Sequence, residues 1–119
     1  MGRVKGAIGR FGEELAARHL EGAGLQVLAR NWRCAEGEID IVAREGGTLV
    51  ICEVKTRSGT GFGDPAEAVT PPKAARLRRL SLRWLAAHGL GWTDLRFDVV
   101  TVVRSRDAAP VVEHLRGAF

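Results

Sequence analysis

The sequence predicts an α/β (α+β) fold: a helix, a three-stranded antiparallel meander, a second helix and a fourth strand, forming a mixed sheet flanked by helices. Three observations lead to this fold class. A helical apolar periodicity begins at Ile8, two strand-like runs flank Gly46-Gly47, and the helix-start signal Thr70-Pro71-Pro72 precedes a further apolar run. A helix between the third and fourth strands allows these two strands to run parallel.

The first helix is predicted from Ile8 to about Ala23, with Gly24 as its C-terminal cap. Its expected apolar stripe consists of Ile8, Phe11, Leu15, His19 and Ala23. On the helical wheel Glu13 lies at the edge of this stripe, and Glu14 lies on the polar side. Glu13 can therefore reach a site at the core boundary; the alternative is that both carboxylates are solvated near the helix N-terminus.

A first strand is predicted from Leu25 to Arg33, and a hairpin follows from Gly37 to Arg57. Each hairpin strand carries a carboxylate among apolar residues, Asp40 in the first strand and Glu53 in the second. A carboxylate inside a strand costs several kcal/mol of desolvation unless it is paired or binds a cation. The hairpin is therefore the expected functional site.

The turn at Gly46-Gly47 decides the geometry of this site. A two-residue turn, which double glycine favours, places Asp40 opposite Glu53 and Glu38 opposite Lys55. Asp40, Glu53 and Lys55 then share one face of the hairpin. Two carboxylates so close repel each other unless a hard divalent cation lies between them. A three-residue turn would place the two acids on opposite faces.

The second helix is predicted from Thr70-Pro71-Pro72 to about His88. Its expected buried stripe consists of Leu77, Leu80, Trp84 and His88. Beside it runs a basic stripe of Arg76, Arg79 and Arg83, with Lys73 close by. This stripe suits either phosphate contacts or a solvated helix face. The glycine-rich segment Ser58–Asp64 is expected to be a surface connection or a mobile loop over a substrate.

The last elements are a fourth strand from Leu95 to Val103 and a short edge strand from Val111 to His114. Asp98 is the internal charge of the fourth strand. We expect it to have a structural role, paired with an arginine such as Arg57 or Arg96; the alternative is that it supports the site.

Length and charge set limits on the function. The 119 residues are enough for one domain, spanning 1–119. A net charge of +4 and a pI of about 9.8 permit a nucleic-acid partner without establishing one. No apolar run reaches the roughly 18 residues of a membrane helix. With no signal-peptide pattern either, we expect a cytoplasmic protein.

Several motifs resemble known patterns. Asp40, followed thirteen residues later by Glu53-Val54-Lys55, resembles the PD-(D/E)XK signature of the restriction-endonuclease-like fold, although Ile39 replaces its proline. The order of the elements resembles that fold's core. Three stretches resemble the YraN family of predicted bacterial endonucleases: Gly37-Glu38-Ile39-Asp40, Glu53-Val54-Lys55-Thr56-Arg57 and Arg96-Phe97-Asp98-Val99-Val100. The segment Phe62–Lys73 and the ending Ala118-Phe119 also match.

The resemblance implies a metal-dependent endonuclease that acts on nucleic acid in repair or recombination. DNA is the expected nucleic acid. Asp40 and Glu53 would bind Mg²⁺ or Mn²⁺ together with the Val54 carbonyl. Glu13 would add a ligand or position a second ion; the archaeal Holliday-junction resolvases, which are similar in layout, also use a glutamate in the first helix. Lys55 would stabilise charge and position the attacking water, a role we favour over deprotonating it. The residues expected to contact phosphates are Lys73, Arg76, Arg79, Arg83 and Arg57.

Two other functions stay open, because a fold does not determine a function. One is a nucleic-acid-binding module without cleavage activity, and the other is an interaction component of a DNA-processing assembly. A single small site can nick one strand, so cutting both strands requires a homodimer or two visits.

Overall fold

The computed structural model describes residues 6–58, 69–89 and 93–119, which form two helices and five strands. In chain order these are α1 (Ala7–Gly22), β1 (Gln26–Cys34), β2 (Gly37–Glu45), β3 (Thr48–Ser58), α2 (Pro71–Ala87), β4 (Asp94–Arg104) and β5 (Val111–Leu115). The strands make one sheet in the order β1-β2-β3-β4-β5, antiparallel except for the parallel β3–β4 pair. The predicted fold class, with its restriction-endonuclease-like core, is confirmed.

The two helices pack against opposite faces of the sheet. On the α1 face, the apolar layer consists of Ala16, Ala17, Leu20, Leu25, Ile41, Ala43, Val50, Cys52 and Val100. On the α2 face, it consists of Ile39, Val42, Leu49, Ile51, Leu77, Leu80, Trp84 and Leu85. The central strands β2 and β3 contribute to both layers, and they therefore read as nearly continuous apolar runs in the sequence.

The turn between β2 and β3 has the two residues that the sequence predicts. Glu45 pairs with Thr48, and the pairing continues in the predicted register to Ile41 and Cys52. Gly46 has a φ of 58°, a left-handed conformation that glycine adopts without a steric cost. A positive φ at the first turn residue alone is the type II′ arrangement, which suits the twist of a hairpin.

The strands β2 and β3 separate beyond this pairing. Toward its start, β2 stays paired with β1 as far as Cys34 and Gly37. Toward its end, β3 stays paired with β4 as far as Ser58 and Arg104. Within the described strands, the β2–β3 ladder ends at Ile41 and Cys52. A fork therefore opens in the middle of the sheet, and Asp40 and Glu53 are the first residues of β2 and β3 beyond the last paired residues.

Helix α1 forms where predicted, but its buried face was predicted wrongly. The buried residues are Gly12, Glu13, Ala16, Ala17 and Leu20. Of the predicted stripe, Ile8 and Phe11 are 47% and 38% exposed, His19 and Ala23 are exposed, and Leu15 is half-buried. The small side chains face the sheet because the helix lies very close to β3. A Cβ atom added to Gly12 would lie 1.6 Å from Thr56 Oγ1.

Helix α2 begins at the predicted signal, where the Thr70 hydroxyl accepts a hydrogen bond from the Lys73 N–H at 3.4 Å. Its buried residues include Leu77, Leu80 and Trp84, as predicted. His88, however, is exposed and stacks on the Trp84 ring at a centroid distance of 4.0 Å. The helix ends at Ala87, so His88 leaves the stripe.

Of the predicted glycine-rich loop, residues 59–64 lie outside the described part of the chain. The predicted fourth strand and edge strand are present as β4 and β5. In the described residues, neither helix is both long enough and apolar enough to cross a membrane.

Candidate functional site

Asp40 and Glu53 lie near each other at the fork, but they are not paired in the ladder as the hairpin register predicts. The predicted pairing of Glu38 with Lys55 is wrong, because β2 has left β3 there and Glu38 pairs with Arg33 of β1. One hydrogen bond crosses the fork, from the Val54 N–H to Asp40 Oδ2 at 2.9 Å. Asp40 lies on the β1–β2 arm, whereas Glu53, Val54 and Lys55 lie on the β3–β4 arm. The local loss of β2–β3 pairing therefore leaves room for polar side chains where the sheet would otherwise be continuous.

Glu13 reaches the same place from α1. Its side chain is 2% exposed, so the expectation that it crosses the core boundary is confirmed and its solvated alternative is wrong. The side chain of Glu14, the next residue, is 46% exposed and pairs with Arg18 and Arg30. The close approach of Gly12 to Thr56 explains how a helical carboxylate can reach the fork.

Glu38 belongs to this group as well, although it was not among the predicted site residues. One carboxylate oxygen from each of Glu13, Glu38 and Asp40 lies within 4.8 Å of the others. Glu38 also forms an ion pair with Arg33 at 2.8 Å. The signal that could have found it is its spacing of two residues from Asp40 on the same strand. We call Glu13, Glu38, Asp40 and Glu53 the acid cluster.

Both burial and a neighbouring carboxylate act on the protonation of Glu53. It is 6% exposed, and its burial, followed by the neighbouring Asp40 carboxylate, raises its pKa to about 7. A contact between Lys73 Nζ and Glu53 Oε2 opposes this rise. Burial and Asp40 thus outweigh the effect of Lys73 on this carboxyl group.

Two lysines complete the site. Burial and the nearby Lys73 ammonium lower the pKa of Lys55, and they outweigh the Glu53 and Asp40 carboxylates, which act to raise it. For Lys73, burial acts to lower the pKa, but the bond with Glu53 and the Lys55 contact raise it overall. Lys73 was assigned to the basic stripe, and the structure brings it into the acid cluster instead.

Two cavities meet at the acid cluster. The smaller, of about 330 Å³, extends from α1 to Lys55 and includes Glu13. The larger, of about 520 Å³, extends between the β1–β2 turn and α2 and includes Arg33, Glu38 and Arg76. The residues common to both cavities are Asp40, Glu53 and Lys73. Asp40 and Glu53 therefore lie where the two cavities adjoin, and we call the two cavities together the groove.

The rest of the predicted basic stripe lies along one side of this groove. Arg76 lines the larger cavity. Arg79 and Arg83 are exposed, and both contact Glu36 in the β1–β2 turn, at 3.8 and 2.5 Å. Arg57 is half-buried near the end of β3, beyond the acid cluster. These five cations are thus not one surface: Lys73 is inside the site, and the arginines lie at its margins.

Asp98 has the structural pairing that we expected. It is fully buried and accepts hydrogen bonds from Arg96 at 2.9 and 3.0 Å, from His114 Nε2 at 2.7 Å and from the Gly117 N–H at 2.9 Å. Burial alone would raise its pKa, but these donors lower it to about 2. Arg96 also bonds Glu45, so this network joins β4 to the hairpin turn and the C-terminal residues.

The fold and the site define a small α+β protein with a carboxylate cluster at a fork in its sheet. The model of a family described as "Uncharacterised protein family UPF0102" matches residues 12–102. The chain is 61% identical over 117 residues to a UPF0102 protein of Frankia alni, with 98% of each chain covered. It is 56% identical over 123 residues to one of Acidothermus cellulolyticus, covering 95% of this chain and 93% of that one.

The chain therefore belongs to the UPF0102 family, and the YraN-like resemblance is confirmed at this level. A Streptomyces coelicolor member is 59% identical over 116 residues, covering 96% of this chain and 89% of its own. Neither the name of the family nor the names of these relatives state an activity.

Proposed function

We propose that this protein is a metal-dependent phosphodiesterase, an endonuclease of the PD-(D/E)XK type. It would cleave nucleic acid, with DNA as the expected substrate, in repair or recombination in the cytoplasm. The observation that carries the proposal is the acid cluster at the sheet fork. Four carboxylates converge there beside Lys55, and one of them, Glu53, has a pKa raised by burial and by Asp40. Strongly perturbed groups in a groove are characteristic of functional sites.

The residues of the cluster fit a divalent cation. All of the side-chain donors are carboxylate oxygens, which are the ligands that Mg²⁺ and Mn²⁺ prefer. Burying several carboxylates together is unfavourable without a compensating positive charge. Asp40, Glu53 and Glu13 would hold the ion with the Val54 carbonyl, and Glu38 is a further candidate ligand. When bound, such an ion activates water and neutralises charge on a phosphoryl group.

The protein's own groups would do the remaining work. Lys55 would orient the attacking water and stabilise the negative charge that develops on the phosphoryl oxygens. The Val54 N–H holds Asp40 at 2.9 Å, which fixes the carboxylate relative to the β3 arm. The wall of the larger cavity contains Arg33 and Arg76 beside the acids, and these two arginines would contact the sugar–phosphate backbone.

Cleavage of a DNA panel tests the proposal. Linear duplex, single-stranded and branched DNA would be incubated with the protein and Mg²⁺ or Mn²⁺. We expect cleavage that a chelator stops and that Asp40→Ala and Lys55→Ala abolish while DNA binding persists. Glu13→Gln should also reduce it, whereas the matched control Glu14→Gln should not, because Glu14 faces solvent.

The other outcomes separate the alternatives. Wild-type protein that binds DNA but cuts no member of the panel would identify a non-catalytic binding module. No affinity for nucleic acid at low salt would contradict both of these functions. If the protein cuts both strands, sedimentation of the active form would decide whether this requires a homodimer, since one site cuts one strand.

The basic side chains have a separate test. If Arg76, Arg79 and Arg83 contact phosphates, replacing each with glutamine should weaken DNA binding and reduce its dependence on salt. Arg79 and Arg83 must first leave Glu36, so Glu36→Gln should strengthen DNA binding. An unchanged salt dependence in the arginine variants would mean that this helix face is only solvated.

A further inference from the structure

Lys73 occupies an unfavourable place for a positive charge. It lies in the first turn of α2, where the helix dipole puts partial positive charge and disfavours cations. Its backbone N–H is held by the Thr70 hydroxyl, but its side chain is long and has many rotamers. This side chain turns inward, is only 25% exposed, and places Nζ against Glu53 Oε2. The acid cluster, and not the helix, accounts for its position.

The charges around Glu53 give a physical reason for its contact with Lys73. Glu38 is paired with Arg33, and Asp40 accepts the Val54 N–H. Glu53 is nearly buried next to Asp40, and the cation in contact with its carboxylate is Lys73. A buried carboxylate next to a second carboxylate is destabilising unless a cation lies nearby. Lys73 therefore supplies in the metal-free protein the positive charge that a divalent ion would supply.

The space around Lys73 lets it move. Together with Asp40 and Glu53, it is common to the walls of both cavities, so its side chain stands at their boundary. The larger cavity of about 520 Å³ offers room for an ammonium group beside Arg76. A lysine side chain can reach that space by rotamer changes alone, without movement of α2.

We propose that Lys73 is an internal counter-ion that occupies the cation position on Glu53 and is displaced into the larger cavity when a divalent cation binds. This proposal rests on the proposed function, since it assumes that the acid cluster binds metal. Metal binding is then a competition: the ion must replace a contact that the protein already makes. Removing the Lys73 charge should therefore strengthen metal binding. If Lys73 served only to contact nucleic acid, its removal would leave metal binding unchanged.

Mn²⁺ titration of the whole protein without nucleic acid tests this competition. Free Mn²⁺ would be measured by electron paramagnetic resonance for the wild type, Lys73→Met, Lys73→Gln and Lys73→Arg. We expect the methionine and glutamine variants to bind Mn²⁺ about 10-fold more tightly, within the range usual for coupled sites. Lys73→Arg keeps the charge and should remain close to the wild type.

Arg78→Met is the matched control, because it removes one positive charge from the same helix at a residue that lies over the Phe97 ring. It should leave the Mn²⁺ affinity within about 2-fold of the wild type, because a charge exposed to solvent is largely screened. Lys73→Gln keeps a polar group that can donate to Glu53, so it provides a folded variant should Lys73→Met not fold.

A second measurement follows the lysine itself. Acylation by an amine-reactive ester, read by mass spectrometry, should increase at Lys73 when Mn²⁺ is added, because the freed ammonium enters the open groove. Equal Mn²⁺ affinities for the wild type and Lys73→Gln, or unchanged acylation, would overturn the proposal. Absence of Mn²⁺ binding in the wild type would instead overturn the proposed function, so the two failures are distinguishable.

Discussion

Two buried carboxyl groups on neighbouring strands, Glu53 of β3 and Asp98 of β4, have opposite electrostatic environments. Glu53 pairs in the ladder with Val99, the residue after Asp98, so the two lie close along the sheet. They are 6% and 0% exposed. Burial and Asp40 raise the pKa of Glu53 to about 7, whereas His114 and Arg96 overcome burial and lower that of Asp98 to about 2.

The difference lies in how the fold compensates each charge. Both carboxylate oxygens of Asp98 accept hydrogen bonds, and the donors come from three residues, Arg96, His114 and Gly117. The charge of Asp98 is therefore compensated within the fold. Glu53 is pressed against a second carboxylate, and the ammonium that contacts it competes with a metal ion in our proposal. Two neighbouring carboxylates are unfavourable for stability alone, and this supports the proposed metal site.

The largest expected effect comes from Glu53→Gln. Cleavage should fall on the order of 10³-fold, the size usual for losing one preorganised charged group at a reaction centre. The unfolding free energy of the metal-free protein should stay the same or rise, because the raised pKa of Glu53 means that its site favours a neutral group. Cleavage assays and urea unfolding in a chelator check both parts. A loss of several kcal/mol would make Glu53 structural instead.

Asp98→Ala should have the opposite profile. It leaves His114 and Arg96 without their shared partner, and breaking a buried ion pair typically costs about 3–5 kcal/mol. Cleavage per folded molecule should be unchanged. Urea unfolding measures the loss, and Asp94→Ala, at an exposed position of the same strand, is the control that should stay within about 0.5 kcal/mol.

Low pH should destabilise the folded protein through protonation of Asp98. The folded-state pKa of Asp98, about 2, lies below its ordinary value of 3.8, so its charge stabilises the fold above about pH 4. This contribution is on the order of 2 kcal/mol and is lost as the pH falls through about 2. Unfolding curves between pH 5 and 2, compared with those of Asp98→Asn, isolate the effect. Parallel pH profiles in the two proteins would contradict it.

Gly12→Ala should sharpen the comparison by disturbing one region alone. The added Cβ would lie 1.6 Å from Thr56 Oγ1 and 2.8 Å from Thr56 Cβ, so α1 must move away from β3. We expect a loss of about 1–3 kcal/mol in unfolding free energy, together with weaker cleavage, because Glu13 moves with the helix. Gly22→Ala, where open space surrounds the new Cβ, should be neutral or stabilising.

The smallest effect is expected at the hairpin turn. Gly46 has a φ of 58°, so Gly46→Ala should cost about 1 kcal/mol, measured by thermal or urea unfolding. Gly47→Ala has no such conformational restriction and no close neighbour, and it should cost less. Equal costs at the two positions would contradict the type II′ turn.

Much of the fold was predictable because its signals are local. The double glycine specified a two-residue turn, and the strand pairing that follows from this turn holds as far as Ile41 and Cys52, next to Asp40 and Glu53. Likewise, the Thr70-Pro71-Pro72 signal located the start of α2, and its length allowed the parallel β3–β4 connection. Each of these features depends on residues a few positions apart, or on the simple geometry of strands and helices.

The sequence by itself thus determined the order of the elements, the hairpin register and the carboxylates Asp40 and Glu53. Only the tertiary structure decided which face of α1 is buried, that Glu38 joins the acid cluster, and that Lys73 contacts Glu53. The physical reason is that these depend on two long-range features: the close approach of Gly12 to Thr56, and the fork where β2 leaves β3. Neither leaves a periodic trace along the chain.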